Sequence, residues 1–302
     1  MAYPTPQVTN TTAAVFIPEI WSDEVIAAYK SNLVAANVFK KMSFKGKKGD
    51  VIHIPKPTRG NASVKDSEAP VTLIADTETE VLVPIDKHYE YSRFIEDITE
   101  VQALASMRRF YTDDAGYALA KQVDTDMVQL GRVMNAGDGT ADYDAGFTGT
   151  DGTTLYDGSN AGALTDIAIR NIIQKLDDQD VPTSGRFFLV PPSARNTLMG
   201  LDRYTAMDFV GEAASANTIR NGQIGNLYGI PVYVTSNADT TTGGDRVCLM
   251  GQKDAAVLVE QLGVRSQVQY KQDYLATLYT SDTIYGVQAL REDSAFGLVV
   301  PA

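Results

Sequence analysis

The sequence is poor in the side chains that build most metal and redox centres. Its 302 residues include one cysteine, Cys248, and two histidines, His53 and His88. One cysteine cannot form an internal disulfide, and the chain has no HExxH or CxxC spacing of the kind that holds zinc. Cys248 lies in the apolar run RVCLM, which predicts a buried, unreactive thiol. The two histidines are predicted to be ordinary strand side chains that could face each other.

Long apolar runs are missing as well. No stretch approaches the roughly 18 apolar residues that a membrane helix needs. The start, MAYPTPQVTNTTAAVF, lacks the basic and then apolar pattern of a secretory signal. We therefore expect no membrane contact and a location in the cytosol, or in an assembly built there.

Basic residues are outnumbered, with 26 Lys and Arg against 38 Asp and Glu and a net charge of -12. This balance argues against a chain that binds nucleic acid with its whole surface. The 44% hydrophobic content can fill a substantial core. The length suggests about two domains of ~150 residues each.

The basic stretch KGKKGD at 45–50 looks at first like a phosphate-binding loop. It lacks the GK followed by Ser or Thr of a Walker loop, and it precedes a strand-like run instead of opening a helix. A turn between a helix and a strand, with Gly46 and Gly49 permitting the turn, is the favoured interpretation.

The loop 138–151 is the best metal candidate because its aspartates and glycines suit calcium. It lacks the bidentate glutamate of an EF-hand, so a solvated acidic loop is predicted. GSNAG at 158–162 has no general base to serve its serine. No catalytic, cofactor or metal residue is predicted, and we do not expect an enzyme. The loop carboxylates are Asp138, Asp142, Asp144 and Asp151.

The order of predicted elements is unusual. Residues 1–20 read as an extended arm, and a short amphipathic helix capped by Ser22 follows and ends near Lys40. Strand-like runs at 51–57 and 78–94 predict a long two-stranded ribbon, which is marginal alone in water. A helical stripe through 98–135, opened by Asp97 and Glu100 as a capping box, predicts a helix of roughly 55 Å that Gly116 could bend and Gly137 ends.

The second half of the chain mixes helices and strands. A helix is predicted near DIAIRNIIQKLDDQ, an apolar strand at FFLV, a helix at PPSARNTLMGL, strands at GNLYGIPVYVTSN and RVCLMG, and a sheet pattern over the last 40 residues. Tyrosines dominate the aromatic residues, which fits partly buried positions where the hydroxyl reaches a partner.

The acidic pairs on helical patterns are predicted on solvated faces: Asp113 with Asp114, Asp124 with Asp126, and Asp177 with Asp178.

Charge is divided along the predicted ribbon. Residues 45–60 hold five basic groups and one acid, and residues 66–80 hold five acids and no base. This division favours pairing across the ribbon or with a neighbouring copy, although one exposed pair contributes only about 0 to 1 kcal/mol. The candidate intersubunit contacts are Lys45, Lys47, Lys48, Lys56, Arg59, Lys65, Asp66, Glu68, Asp76, Glu78, Glu80 and Trp21.

Taken in order, these elements resemble the major capsid proteins of tailed bacteriophages, with the Hong Kong 97-like fold of α+β class. FIPEIWSDEVIAAYKSNLVAANVFKKM followed by GDVIHIPKP is similar to capsid starts in this family, and GNLYGIPVYVTSNA is similar to a segment of its axial domain. The resemblance implies an N-terminal arm (1–20), a short helix (21–44), an extended β-hairpin loop (45–94), a peripheral domain with a long spine helix (95–159), a mixed α/β axial domain (160–250) and return strands (251–302).

The resemblance also implies partners. We expect hexamers and pentamers of one icosahedral shell in the virion, assembled in the host cytoplasm with a portal protein, and non-specific contact with packaged DNA. Decoration proteins can be added to such a shell. Because Met1 leads straight into the arm, where many relatives carry a cleaved scaffolding region, a separate scaffolding protein and no N-terminal cleavage are expected. Lys56 and Lys65 have no identifiable cross-linking partner, so uncross-linked subunits are expected.

Two alternatives remain open on the sequence. An encapsulin-like nanocompartment would use the same fold to enclose a cargo enzyme, and the Thr-rich arm favours the virus over it. A metal-dependent soluble hydrolase using the loop 138–151 would be a monomer or small oligomer. Particle size and enclosed DNA separate these alternatives.

Overall fold

The computed structural model describes residues 35–56, 79–97, 107–139, 146–201 and 225–302, together with residues 60, 62–65, 67, 68, 70, 71 and 73. The α-helices are α1 (Ala35–Val38), α2 (Met107–Gln129), α3 (Asp166–Asp178) and α4 (Pro192–Met199), and a 3-10 segment, Leu130–Ala136, continues α2. The strands are β1 (Lys40–Ser43), β2 (Val51–Lys56), β3 (Thr79–Pro84), β4 (Lys87–Glu96), β5 (Phe147–Thr148), β6 (Arg186–Val190), β7 (Asn226–Leu227), β8 (Ile230–Val234), β9 (Arg246–Gln252), β10 (Ala256–Lys271), β11 (Ala276–Ala289) and β12 (Ala295–Val300).

A four-stranded sheet and the long helix α2 form one half of the core. The strand order is β1-β10-β11-β4, with β1 parallel to β10 and the other neighbours antiparallel. Leu119, Val123 and Met127 of α2 are buried against Tyr279 and Tyr285 of β11. Their spacing of four residues places them on one face of the helix, as the sequence predicts.

A six-stranded sheet of order β5-β12-β9-β6-β8-β7 forms the second half of the core. Strand β6 is buried along its whole length because both of its faces are covered. Phe187 and Leu189 pack into the core beside α2, whereas Phe188 and Val190 pack into the core beside α3. One five-residue strand therefore joins the two cores.

The long helix is only partly within the described residues. Residues 98–106 lie outside them, and α2 runs from Met107 across Gly116 without a break. The helical backbone ends before Met134 (φ -72°, ψ 156°), three residues earlier than the predicted stop at Gly137, whose N-H donates to the Met134 carbonyl (3.1 Å). Asp97 follows β4, and its carboxylate accepts a hydrogen bond from the Tyr270 hydroxyl (2.7 Å). The predicted capping box of Asp97 with Glu100 stays a prediction, because Glu100 lies outside the described residues.

The predicted long ribbon is wrong in its length. β2 pairs only with β3, and the pairing ends where Val51 lies opposite Pro84. The rest of the predicted run, β4, joins the four-stranded sheet beside β11. His53 and His88 consequently do not face each other. Pro84 is not the reason, because the Ile85 N-H beyond it still donates to the Asp50 carbonyl (2.8 Å). The reason is tertiary: β4 pairs with β11 over its whole length, Lys87–Glu96.

Other expectations are confirmed. The helices α3 and α4 and the strands β6, β8 and β9 lie where the sequence predicts them, and the last 40 residues form strands. Cys248 is fully buried, and burial raises the pKa of its thiol, so the thiol is unreactive. Within the part of the chain that the structure describes, no helix is both long enough and apolar enough to cross a bilayer.

Candidate assembly surfaces

The ribbon of β2 and β3 is held at its base. Val83 is fully buried and packs with Val257 and Val259 of β10. The backbone of Pro84 crosses β11 at Gly286, where a β-carbon would lie only 2.2 Å from the Pro84 carbonyl oxygen. Toward the tip both strands are exposed, at Pro55 and Lys56 of β2 and at Thr79 and Glu80 of β3. Among the described residues, the buried contact of the ribbon with its own subunit is at its base.

The basic turn lies at the base of the ribbon, beside β10. Gly46 (φ +80°) and Gly49 (φ +149°) have backbone conformations that L side chains rarely adopt, which confirms their predicted role in the turn. The Gln261 side-chain amide donates to the Gly49 carbonyl (2.9 Å), and Lys45 Nζ lies 3.7 Å from a carboxylate oxygen of Glu260. The turn is therefore docked on β10 by hydrogen bonds to its backbone and presents its lysines to solvent.

The structure describes seven of the predicted contact residues. The Lys47 ammonium lies 4.8 Å from the centroid of the Phe44 ring, and Glu80 Oε2 lies 2.9 Å from His53 Nδ1. Both contacts are exposed, so they leave the groups available to a neighbour. The seven exposed residues are Lys45, Lys47, Lys48, Lys56, Lys65, Glu68 and Glu80. Arg59, Asp66, Asp76, Glu78 and Trp21 lie outside the described residues.

Apolar side chains are exposed in the segment that follows β2. Val64 is 92% exposed, Val71 64% and Leu73 87%. Isolated exposed apolar residues are common on any protein. All three lie in the segment that links the two ribbon strands, and Val71 and Leu73 lie among the acids of the run 66–80, where a neighbouring copy could cover them.

Two carboxylates on α2 were expected on a solvated face and are instead buried. Asp124 accepts hydrogen bonds from the backbone N-H of Ala35 (2.6 Å) and from the Asn237 amide (3.2 Å). Asp124 thereby joins α2 to the first residue of α1 and to the loop after β8. No local pattern indicates this role, because both partners are more than 80 residues away in the sequence.

Asp126 makes a second buried contact one half-turn further along α2. It accepts hydrogen bonds from the Tyr285 hydroxyl (2.7 Å) and the Gln122 amide (3.0 Å), and Lys87 Nζ lies 3.1 Å away. The carboxylate is thus fully partnered, as a buried charge requires. It fixes α2 to β4 and β11, the sheet that carries the ribbon.

Arg132 and Asp239 form a bidentate ion pair between the end of α2 and the loop before β9. The guanidinium Nε and a terminal nitrogen each lie 2.6 Å from a carboxylate oxygen. Hydrogen bonding to Asp239 raises the pKa of Arg132, against the opposing effect of burial. With Asp124 and Asn237, this pair links the helix to the six-stranded sheet.

Asp282 is the central charge on the other face of the four-stranded sheet. Arg265 donates two hydrogen bonds to its carboxylate (3.0 and 2.7 Å), and His88 Nε2 lies 3.3 Å from it. Burial raises the pKa of Asp282, but the hydrogen bonds from Arg265 and His88 outweigh burial and hold this pKa below its ordinary value. Strands β4, β10 and β11 are joined by this one side chain.

Replacing Asp282 with asparagine is expected to lower the free energy of unfolding by about 1 to 3 kcal/mol at neutral pH. The folded-state pKa of Asp282 is depressed, so its stabilising effect is complete above the unfolded-state pKa and is lost as the pH falls through the folded-state pKa. The difference between Asp282→Asn and the unsubstituted subunit should therefore shrink below about pH 4. Urea unfolding of unassembled subunits across this pH range measures it, with Asp178→Asn, exposed at the end of α3, as control. A difference that stays constant with pH would contradict this role.

The aspartate loop does not supply a metal site within the described residues. Both oxygens of Asp151 are used locally: one accepts from the backbone N-H groups of Thr153 and Thr154 (2.9 Å each), and the other accepts from their hydroxyls. No group of three or more metal-ligating side chains occurs in the described ranges. Asp142 and Asp144 lie outside them. Asp151 acts here as a turn cap.

Solved structures share this architecture over nearly the whole chain. The Mycobacterium phage Che8 structure superposes with a TM-score of 0.67 at 23% identity, covering 88% of this chain and 90% of that one. The capsid of the cyanophage P-SCSP1u gives 0.67 at 19% identity over 87% and 86%, and the capsid of Ralstonia phage GP4 gives 0.63 at 16% over 91% and 90%. These likenesses show the fold.

Sequence comparison is more specific. The model of a family described as phage capsid protein matches residues 94–299, about two thirds of the chain. No curated protein sequence matches the chain. The predicted resemblance to tailed-phage major capsid proteins of the Hong Kong 97-like fold is confirmed, and neither the nanocompartment nor the hydrolase is favoured. The chain therefore belongs to the phage capsid protein family and is a subunit of the virion capsid shell.

Proposed function

We propose that this capsid protein assembles as hexamers and pentamers into one closed icosahedral shell around double-stranded DNA, and that the ribbon makes the contacts between subunits. The observation that carries the proposal is the ribbon itself: it is anchored at its base by Val83 and exposed toward its tip. A two-stranded ribbon gains little stability alone in water, so a neighbouring subunit is the natural cover for its outer part.

The predicted division of the chain belongs to the same proposal. The extended loop is shortened to 45–84, because β4 belongs to the four-stranded sheet. Residues 95–159, with β4, act as the peripheral domain and 160–250 as the axial domain, with 1–20 as an arm and 251–302 as return strands. The lysines of the basic turn and the acids of 66–80 act as intersubunit contacts. Their exposure in the described part supports this role.

A structural role without catalysis completes the proposal. The titratable clusters described above join secondary-structure elements: Asp126 and Asp282 bind within the four-stranded sheet and its helix, and Asp239 binds the end of α2. With a net charge of -12, the subunit is suited to loose contact with DNA, since a strongly basic inner wall would hold the genome by counterion release. Scaffolding, portal and decoration proteins are the expected partners during assembly in the host cytoplasm.

Sedimentation of the expressed chain, alone and with candidate scaffolding and portal proteins, tests the proposal. A shell predicts particles far larger than any enzyme oligomer, and complete phage particles should contain nuclease-protected DNA. Large particles that enclose protein cargo and no DNA would instead support a nanocompartment. A stable monomer or small oligomer under every condition would contradict the proposal.

A further inference from the structure

Strand β10 has an open edge over half of its length. It pairs with β11 as far as Lys271, but on its other side β1 pairs only with Val257–Glu260. Among the described residues, no strand lies beside the stretch 263–271 on that side. Every second residue of such an edge directs an unpaired backbone N-H and C=O outward, so the edge can accept an added strand.

The sequence of this open edge, GVRSQVQYK, contains neither proline nor an acidic residue. The opposite edge strand of the sheet, β4, carries Glu90, Arg93 and Glu96, a mixture of signs that discourages pairing. The open edge also holds Ser266, which is 5% exposed and whose hydroxyl has no hydrogen-bond partner among the described residues. The charged residues of the open edge, Arg265 and Lys271, are of one sign, so they oppose pairing with a like strand and suit an acidic one.

Positive charge flanks the open edge. Lys45 Nζ lies 3.0 Å from where a β-carbon on Gly263 would be, so the basic turn meets the start of the edge. Lys47 and Lys48 belong to the same turn, and Lys271 lies at the far end. A strand that binds here should carry negative charge on both sides of a short apolar segment.

The run 66–80 has this composition. Its apolar centre, VTLI at 71–74, has acids on both sides, and the described Val71 and Leu73 are exposed. In one subunit the basic turn leads into the base of the ribbon, whereas the acidic run is attached at its tip, roughly 20 Å away along six residue pairs. The two complementary surfaces are thus attached to opposite ends of the ribbon, which favours pairing between copies.

We infer that the segment 70–76 of one subunit adds as a strand to the open edge 263–271 of a neighbouring subunit, with its flanking acids facing the basic turn and Lys271. The inference rests on the proposed shell and identifies where the ribbon tip binds within it. Backbone hydrogen bonds would supply affinity, and the charges would fix the register.

Disulfide trapping in assembled particles tests the docking. Leu73→Cys is combined with Gln267→Cys or with Gln269→Cys, both exposed on the open edge. The matched control combines Leu73→Cys with Ser92→Cys, which is exposed on β4. After mild oxidation, a non-reducing gel should show at least about ten times more covalent multimer for the edge pairs than for the control. Cys248 is buried and does not compete.

Hydrogen exchange on the unsubstituted chain gives a second readout that needs no variant. Amides in 263–271 and 70–76 should exchange about tenfold or more slowly in particles than in free subunits, because both strands gain hydrogen bonds. Particles that form while these amides exchange at the free-subunit rate, or that yield no more edge cross-links than the control, would overturn the docking and leave the shell intact. Failure of the unsubstituted chain to form particles both alone and with scaffolding and portal proteins would overturn the proposed function itself.

Discussion

Replacing Asp239 with alanine is expected to destabilise the folded subunit by about 3 kcal/mol. The substitution removes both hydrogen bonds to Arg132 and leaves a guanidinium that is only 20% exposed without its counter-charge. A buried charge that loses its partner keeps the cost of desolvation, so the loss exceeds the net contribution of the pair. Asp239 also accepts a hydrogen bond from the backbone N-H of Thr240, and this contact is lost as well.

Chemical unfolding of unassembled subunits measures this effect, and Arg170→Ala provides the control. Arg170 pairs with Asp166 one turn away on α3 at 3.0 Å and is 52% exposed, so its loss should cost only about 0.3 to 0.5 kcal/mol. Equal destabilisation by the two substitutions would show that the Arg132 pair is not the junction between α2 and the loop before β9.

Reversing the basic turn with Lys45→Glu, Lys47→Glu and Lys48→Glu is expected to weaken assembly while the subunit stays folded. Within the subunit the triple variant loses one exposed ion pair, at 3.7 Å to Glu260, which contributes about 0 to 1 kcal/mol. Between subunits it places three acids opposite the acidic run 66–80. A cost of about 1.4 kcal/mol at each contact raises the dissociation constant tenfold, and the effect is repeated at every ribbon of the shell.

The critical concentration for particle formation, measured by light scattering, should therefore rise about tenfold or more. Circular dichroism and urea unfolding verify that the free subunit is unchanged. A second variant that adds Asp66→Lys, Glu68→Lys and Asp76→Lys to the reversed turn should restore assembly, because it exchanges the signs of both partners. Unimpaired assembly of the triple variant, or failure of the exchanged variant to recover, would contradict contact between these two charged runs.

Local patterns in the sequence were sufficient for most elements. The four-residue spacing of Leu119, Val123 and Met127 predicts the buried face of α2, and FFLV predicts an apolar strand, which the structure confirms as β6. Tyrosine hydroxyls meet carboxylates as expected, for example Tyr156 with Asp245 at 2.7 Å. Such features depend on neighbours in the sequence or on the chemistry of one side chain.

Features that depend on distant partners could not be predicted in this way. The predicted ribbon ran to residue 94 because β3 and β4 have the same strand-like composition, and only the pairing with β11 separates them. Asp126 resembled a solvated helix residue because its partner Tyr285 lies 159 residues away. The open edge of β10 could not be predicted either, because it depends on how few residues of β10 pair with β1.

Electron cryo-microscopy of particles assembled from this chain with its scaffolding and portal partners tests the central claim most directly. We predict closed icosahedral shells in which the ribbon of each subunit lies on a neighbouring subunit and its tip meets the open edge of β10. Monomers or small oligomers without closed shells, or shells in which the ribbon contacts only its own subunit, would contradict the account.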